Sequence, residues 1–177
     1  MELIQFNINR EGWVYVIIFC LLTIIFLPFF PLIAIIFAIC TLFIIYFFRD
    51  PKRTIPLDDL IVSPADGIIA FIEKCELPKE TKINKKFLKI SIFLNIFNVH
   101  VNRVPTFGTI KIIKYVPGKF INAVTDKSSN ENERNIVVIE KNNSDIIVVS
   151  QIAGLIARRS VCNLKENEKV LLGDRLG

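Results

Sequence analysis

The pattern of hydrophobic and polar positions divides the chain into an apolar N-terminal stretch and a longer part of short apolar runs. No residue from Trp13 to Phe48 carries a charge, and these 36 residues would be roughly 54 Å long as one helix. A bilayer core is about 30 Å thick. Because Pro28 and Pro31 interrupt a helix near the middle, the pattern predicts a hairpin with arms over about 13–27 and 32–48. Each arm is short for a full membrane span.

The charges beside the apolar stretch set its expected orientation. Arg49, Lys52 and Arg53 follow the second arm, and positive charge favours the cytoplasmic side of a membrane. The apolar stretch is too long for a cleaved signal peptide. We therefore expect residues 1–50 to form a transmembrane or membrane-dipping α-helical hairpin, followed by a mainly β domain over residues 51–177.

After residue 50 the pattern is typical of a β-rich domain. Runs of β-branched and aromatic residues alternate with turn residues. The stretch 164–177 resembles the strand, turn and glycine of lipoyl-type barrel-sandwich domains. The polar stretches 75–86 and 119–135 predict an exposed loop and a mobile or functional loop. Strands are expected on both sides of the turn in 60–73, and over 108–116, 136–140 and 146–149, and a buried strand or strand pair is expected over 91–105.

The candidate functional residues each have two interpretations. His100, the only histidine, lies in an apolar stretch where its imidazole could change charge near neutral pH. The alternative is a core histidine bonded to a backbone carbonyl. Asp66 precedes a glycine, so it could simply cap a turn. The pair Arg158-Arg159 fits either a solvated strand edge or an anion site.

Composition narrows the class of partner. The net charge is +5, and beside an apolar N-terminus it favours an anionic membrane surface. No run of basic and aromatic residues indicates a nucleic-acid surface. The four cysteines are far apart, so the sequence indicates neither a zinc site nor a disulfide framework, and no metal is expected.

Seven short motifs follow one another over nearly the whole chain. They are FFRDPKR at 47–53, SPADG at 63–67, FNVHVNRVP at 97–105, PGKF-NA at 117–123, NER at 132–134, QIAGLIARR at 151–159 and GDRLG at 173–177. Each motif alone is weak evidence for any family. Together, and in this order, they resemble the phosphatidylserine decarboxylase family, in its short bacterial form with an N-terminal membrane hairpin.

The resemblance implies a carboxy-lyase of phospholipid biosynthesis in the bacterial inner membrane, with its catalytic domain on the cytoplasmic side. Such an enzyme converts phosphatidylserine to phosphatidylethanolamine with a covalent pyruvoyl group. The pyruvoyl group forms when the proenzyme, a zymogen, cuts itself between a glycine and a serine and releases an α subunit. The expected partners are therefore that α subunit and the phospholipid substrate. Whether the chain also forms a homo-oligomer stays open at this point.

The resemblance also assigns roles to individual residues. His100 would be the base that activates the serine, and Asp66 would orient its imidazole, as in a serine-protease triad. Lys119, Arg158 and Arg159 are weaker candidates for binding the substrate phosphate or carboxylate, because they are basic and lie in matching motifs.

The sequence departs from the family pattern at two places. The serine that would form the pyruvoyl group lies beyond Gly177, so the chain as given is expected neither to cut itself nor to decarboxylate a lipid. Phe97 stands where some relatives have a second histidine. That substitution leaves His100 as the candidate both for activating the serine and for protonating the product carbanion.

Two other classes of protein fit parts of the sequence. A non-catalytic, membrane-tethered adaptor with a lipoyl-like domain would explain the hairpin and the terminal glycine turn. It would not require Asp66 and His100 to meet. A hydrolase would combine Asp66 and His100 with a serine, but the chain contains no Gly-x-Ser-x-Gly motif.

Overall fold

A computed structural model describes residues 7–56, 60–77, 79–81, 83, 85–121 and 131–177. These residues form two compact units. The first unit holds the residues up to Thr54 together with Ile96–Val101, and the second holds Ile55–Asn95 and Asn102–Gly177. The loops predicted at 75–86 and 119–135 lie partly outside the described residues.

Two apolar helices make up most of the first unit. Helix α1 spans Trp13–Phe26 and helix α2 spans Pro31–Phe47. Pro28 does not fit a helix interior, whereas Pro31 is favourable at the first helical position because that residue needs no N–H donor. The predicted helix pair is confirmed. Among the described residues, neither helix has the combination of length and hydropathy needed to cross a membrane.

The second unit is mainly β and contains two antiparallel arrangements of strands. The ribbon pairs β1 (Ile68–Glu76) with β2 (Lys86–Phe93). The other four strands are β3 (Gly108–Val116), β4 (Arg134–Glu140), β5 (Ile146–Ile152) and β6 (Lys169–Val170). They form a four-stranded sheet in the order β5-β4-β3-β6, and "the sheet" refers to these four strands.

The hydrophobic core of the second unit is built around β4. Residues 134–139 of this strand are all buried, and β3 and β5 pair with its two edges. Val104 and Leu176 lie outside the strands and are also fully buried in this core. The other buried members are Ile110, Val137, Ile139, Val149 and Val170.

The strand predictions succeed in the sheet. Strand β3 has the bounds expected from the alternation of apolar and basic residues at 108–116. The hairpin of β4 and β5 contains the two stretches expected to pair, 136–140 and 146–149. Turn residues and alternation were sufficient here, because the strands are neighbours in sequence and pair with each other.

Two strand predictions were wrong. No strand lies within residues 60–67, although a strand was expected just before the turn. The stretch 91–105 is strand only as far as Phe93, so His100 lies in an irregular segment and not in a strand. Runs of β-branched residues report a preference for buried, extended backbone, and they do not reveal whether a partner strand is present.

Candidate functional site

Residues 102–105, here called the central segment, carry the SPADG turn along one edge. Two main-chain hydrogen bonds of 2.8 and 2.9 Å join the start of the turn to Arg103 and Pro105. Asp66 is half-buried in this turn. The motif that contains Asp66 is therefore hydrogen-bonded to residues that follow His100 closely in the sequence.

The GDRLG motif, residues 173–177, lies along the other edge of the central segment. The Asn102 N–H donates to the Gly177 carbonyl at 2.7 Å, and the Val104 N–H donates to the Asp174 carbonyl at 2.8 Å. Gly173 enters this pairing with a φ of +84°, in the left-handed region that glycine adopts without strain. Three motifs that are far apart in sequence thus meet at one short extended segment.

Gly177 is held in close, polar surroundings. A Cβ atom at this position would overlap the Val161 carbonyl oxygen and would lie 2.9 Å from Gln151 Nε2. Gln151 Nε2 donates to Asn102 Oδ1 at 2.9 Å. Gln151 Oε1 is buried and has no hydrogen-bond partner among the described residues. The glycine is therefore required for close packing beside the hydrogen-bonded amide side chains of Gln151, which is buried, and Asn102, which is half-buried.

His100 lies in the first unit, within Ile96–Val101. Its imidazole stacks on the Phe47 ring, with centroids 4.3 Å apart and planes at 27°. Nδ1 lies 3.1 Å from the Asn98 carbonyl oxygen. When Nδ1 donates its proton to that carbonyl, Nε2 keeps a lone pair and can accept a proton.

The surroundings of His100 favour the neutral imidazole. Burial lowers its pKa below the ordinary value of 6.5, while the hydrogen bond to the Asn98 carbonyl raises it and the positive charge of Arg49 lowers it. The net effect is a lowered pKa. At neutral pH the imidazole is therefore mostly unprotonated, which is the state that a general base needs.

The other candidates from the sequence occupy separate places. Asp66 belongs to the second unit and His100 to the first, and their pairing stays a prediction. Lys119 forms an ion pair with Glu131 at 3.0 Å and its side chain is 71% exposed. Arg158 lies 5.9 Å from the centre of the Phe120 ring. Since Arg158 and Arg159 are both exposed, their role in anion binding also stays a prediction.

The NER motif has a structural role. Asn132 is fully buried, and its side chain bonds to three main-chain groups. Nδ2 donates to the carbonyls of Ile121 and Ala153 at 2.8 Å, and Oδ1 accepts from the Ile121 N–H at 3.0 Å. Arg134 forms an ion pair with Glu80 at 3.0 Å. These contacts tie separate loops to the start of β4.

Three residues around His100 were missed in the sequence analysis. Phe47 and Arg49 lie inside the FFRDPKR motif, and that motif is the signal that could have pointed to them. The Asn98 carbonyl has no sequence signature, because every residue carries a main-chain carbonyl. Among the described residues, no group of three or more His, Cys, Asp or Glu side chains could hold a metal ion.

Comparison with known proteins places the chain in a class. Residues 40–177 match the family model of phosphatidylserine decarboxylase. The match extends over most of the chain, from within α2 to Gly177. The chain belongs to the phosphatidylserine decarboxylase family.

Individual relatives agree with the family match. A phosphatidylserine decarboxylase proenzyme of Ehrlichia ruminantium (strain Welgevonden) is 51% identical over 173 residues, covering 97% of this chain and 75% of the relative. The proenzyme of that name from Wolbachia sp. subsp. Brugia malayi (strain TRS) is 46% identical over 174 residues, covering 97% and 76%. The one from Rickettsia prowazekii (strain Madrid E) is 46% identical over 172 residues, covering 96% and 74%.

Proposed function

We propose that this chain is the larger part of a pyruvoyl-dependent phosphatidylserine decarboxylase. The enzyme would convert phosphatidylserine to phosphatidylethanolamine after the proenzyme cuts itself before a serine. The main support is the family match over residues 40–177. Two phosphatidylserine decarboxylase proenzymes that are 51% and 46% identical to this chain add to it. The sequence contains no Gly-Ser pair, so the proposal assigns the serine to residues that follow Gly177 in the proenzyme.

The described residues fit a group formed just after Gly177. Residues 173–177 run antiparallel to the central segment and are held there by main-chain hydrogen bonds, so the position of Gly177 is fixed within the second unit. The buried Gln151 Oε1 offers a hydrogen-bond acceptor beside Gly177. When present, the pyruvoyl group supplies an electron sink for the loss of carbon dioxide.

In this proposal His100 moves the proton. Its Nδ1 is occupied by the Asn98 carbonyl, so Nε2 would accept the proton of the attacking serine hydroxyl. The lowered pKa of His100 keeps Nε2 unprotonated at neutral pH. Asp66 is proposed to orient the imidazole as the acceptor of the Nδ1 proton in place of the Asn98 carbonyl, because Nε2 must stay open for the serine proton. The support for its role is that its turn is bonded to the central segment, which follows His100 in the chain.

The test is a chain extended past Gly177 by a family-type Phe-Gly-Ser segment and its tail. We expect one precursor band to become two bands on a denaturing gel, and phosphatidylserine to release carbon dioxide. Extension with Phe-Gly-Ala is the matched control and should leave one band. His100→Ala should fold but stay uncut, because no other imidazole in the sequence can take a proton near neutral pH.

Two results of this experiment would contradict the proposal. An extended parent chain that stays uncut would overturn the proposed function itself. Efficient cleavage of the His100→Ala variant would overturn the role of His100 as the base, while leaving the decarboxylase assignment intact.

We also propose that the chain is bound to the bacterial inner membrane, with the β domain on the cytoplasmic side. The support is the exposed apolar surface of the helices, where Ile24, Leu32 and Leu42 are 66%, 77% and 68% exposed. Apolar side chains all round a helix are typical of burial in a core or in lipid.

Extraction of isolated membranes tests this proposal. A wash in about 1 M salt should leave the chain in the membrane, because salt screens charge pairs and does not weaken apolar burial. A mild detergent should release it. Release by the salt wash alone would contradict insertion of the helices.

The finer architecture of the β domain is part of the same proposal. We assign residues 51–177 to a lipoyl-like barrel-sandwich. The support is antiparallel pairing in both the ribbon and the sheet, together with the left-handed glycine turn at Gly173.

A further inference from the structure

The end of α2 contacts the segment that carries His100 in three ways. The Phe47 ring stacks on the imidazole at 4.3 Å between centroids. The Tyr46 hydroxyl donates to the Phe97 carbonyl at 3.2 Å, and Arg49 Nη2 donates to the same carbonyl at 2.7 Å. All of these residues belong to the first unit, so the contacts form within one compact body.

Arg49 is held in place for this contact. Its guanidinium carbon lies 3.8 Å from the centre of the Tyr46 ring, and Nη1 donates to the Tyr46 carbonyl at 2.8 Å. The two ends of the guanidinium thus connect the last turn of α2 to the Phe97 carbonyl. A planar guanidinium can form this fork, whereas the single ammonium of lysine cannot reproduce it.

These contacts restrain the imidazole from two directions. The Phe47 ring limits the tilt of the imidazole plane. Arg49 fixes the carbonyl of Phe97, and the next carbonyl along the chain, that of Asn98, is the one that lies 3.1 Å from His100 Nδ1. The residue that sets the tautomer of His100 is therefore attached directly to the peptide group held by Arg49.

We propose that Phe47 and Arg49 are positioning residues for His100, so that the helical hairpin orients the histidine in addition to any role in anchoring. The inference rests on the proposed function, in which His100 is the base. The groups that make these contacts are the Phe47 ring, the Arg49 guanidinium and the Tyr46 hydroxyl. Tyr46 is the other titratable group at this contact.

Three substitutions separate the two contributions. Phe47→Leu removes the stacked ring and exposes the imidazole, so the pKa of His100 should rise toward 6.5. Arg49→Met removes a nearby positive charge and both hydrogen bonds, so the pKa should rise as well. Arg49→Lys retains the charge and loses the fork, so the pKa should change less while hydrogen exchange of the 96–101 amides becomes faster.

The measurement uses the full chain in mild detergent with ¹³C-labelled histidine. Because His100 is the only histidine, one NMR signal reports its ring environment and its pKa without assignment. Phe37→Leu is the control for Phe47→Leu, because Phe37 lies on the same helix and packs on Phe19 and Phe26. Arg10→Met, at an exposed position before α1, is the control for Arg49→Met.

The expected result is a loss of the ring-current shift in Phe47→Leu and a raised pKa in Phe47→Leu and Arg49→Met, with both controls unchanged. In the extended chain, the rise of the cleavage rate with pH should move to higher pH in the same two variants. An unchanged signal and pKa in both variants would overturn the inference, as would equal changes in the controls. The NMR result needs no cleavage, so it is independent of the outcome for the proposed function.

Discussion

The ribbon and the sheet both contain many β-branched residues, yet only the β4 strand of the sheet is buried along most of its length. In β1, Ile68, Ile69 and Phe71 are 66%, 58% and 46% exposed. In β4, residues 134–139 are all buried. Each strand of the ribbon pairs along one edge, whereas β4 pairs along two. Strand β4 therefore combines pairing on both edges with buried side chains, whereas β1 has neither.

The comparison shows where stability is concentrated in the second unit. Burial of apolar surface contributes about 25 cal/mol per Å², and the residues of β4 realise this gain while those of β1 retain much of their exposure. A two-stranded ribbon is marginally stable by itself. Substitutions at matched positions in the two regions therefore test this difference.

The largest difference is expected for truncation of an isoleucine. Ile139 is 0% exposed and Ile72 is 60% exposed. Ile139→Ala should lower the free energy of unfolding by about 2–5 kcal/mol, because it leaves a cavity in the core. Ile72→Ala should cost less than about 1 kcal/mol, as is usual for exposed positions. Urea unfolding of the two variants measures both values, and equal losses would contradict the comparison.

A smaller difference is expected for two glycines, Gly108 at the first position of β3 and Gly67 just before β1. A Cβ at Gly108 would lie 2.5 Å from the Glu140 carbonyl, and a Cβ at Gly67 would lie 2.5 Å from the Phe93 carbonyl. Gly108→Ala should cost about 1–3 kcal/mol, because the clash displaces buried neighbours in β4.

Gly67→Ala should cost less, because β2 can move away into solvent. Thermal unfolding of the pair under identical conditions gives the comparison. A larger loss in Gly67→Ala would show that the ribbon is the more rigid of the two regions.

The smallest effects are expected for surface ion pairs, where the two regions should behave alike. Lys89 and Glu73 are 2.8 Å apart in the ribbon, and Lys111 and Glu140 are 2.7 Å apart in the sheet. Glu73→Gln and Glu140→Gln should each cost less than about 1 kcal/mol, since exposed ion pairs contribute little. Repeating the unfolding at high salt should reduce both costs, and a cost that resists salt would indicate a buried pair.

The sequence predicted the elements that depend on local information. The helix bounds follow from the uncharged stretch and from Pro28 and Pro31, which act on their own turn of the chain. Strand β3 follows from its alternation, and the hairpin of β4 and β5 follows from a turn between neighbouring strands. These features need no knowledge of distant residues.

The central segment could not be predicted in the same way. Its apolar residues resemble those of a strand, but its partners are the SPADG turn and the GDRLG motif, which are distant in the sequence. His100 and Asp66 are candidates from their residue types and places in the sequence, and only the resemblance to a family assigns them a shared catalytic role. The positions of Phe47 and Arg49 beside His100 depend on contacts between residues about 50 positions apart, which no local pattern reports.

The pairing of the central segment also has a consequence for the timing of synthesis. The N–H groups of Asn102 and Val104 bond to the carbonyls of Gly177 and Asp174, which a ribosome adds some seventy residues later. During translation these two groups must remain hydrated or bind elsewhere, since unpaired main-chain groups are costly to bury. The edge that receives the GDRLG motif is thus completed only when residues 173–177 have been made, so a nascent chain cannot assemble this part of the site early.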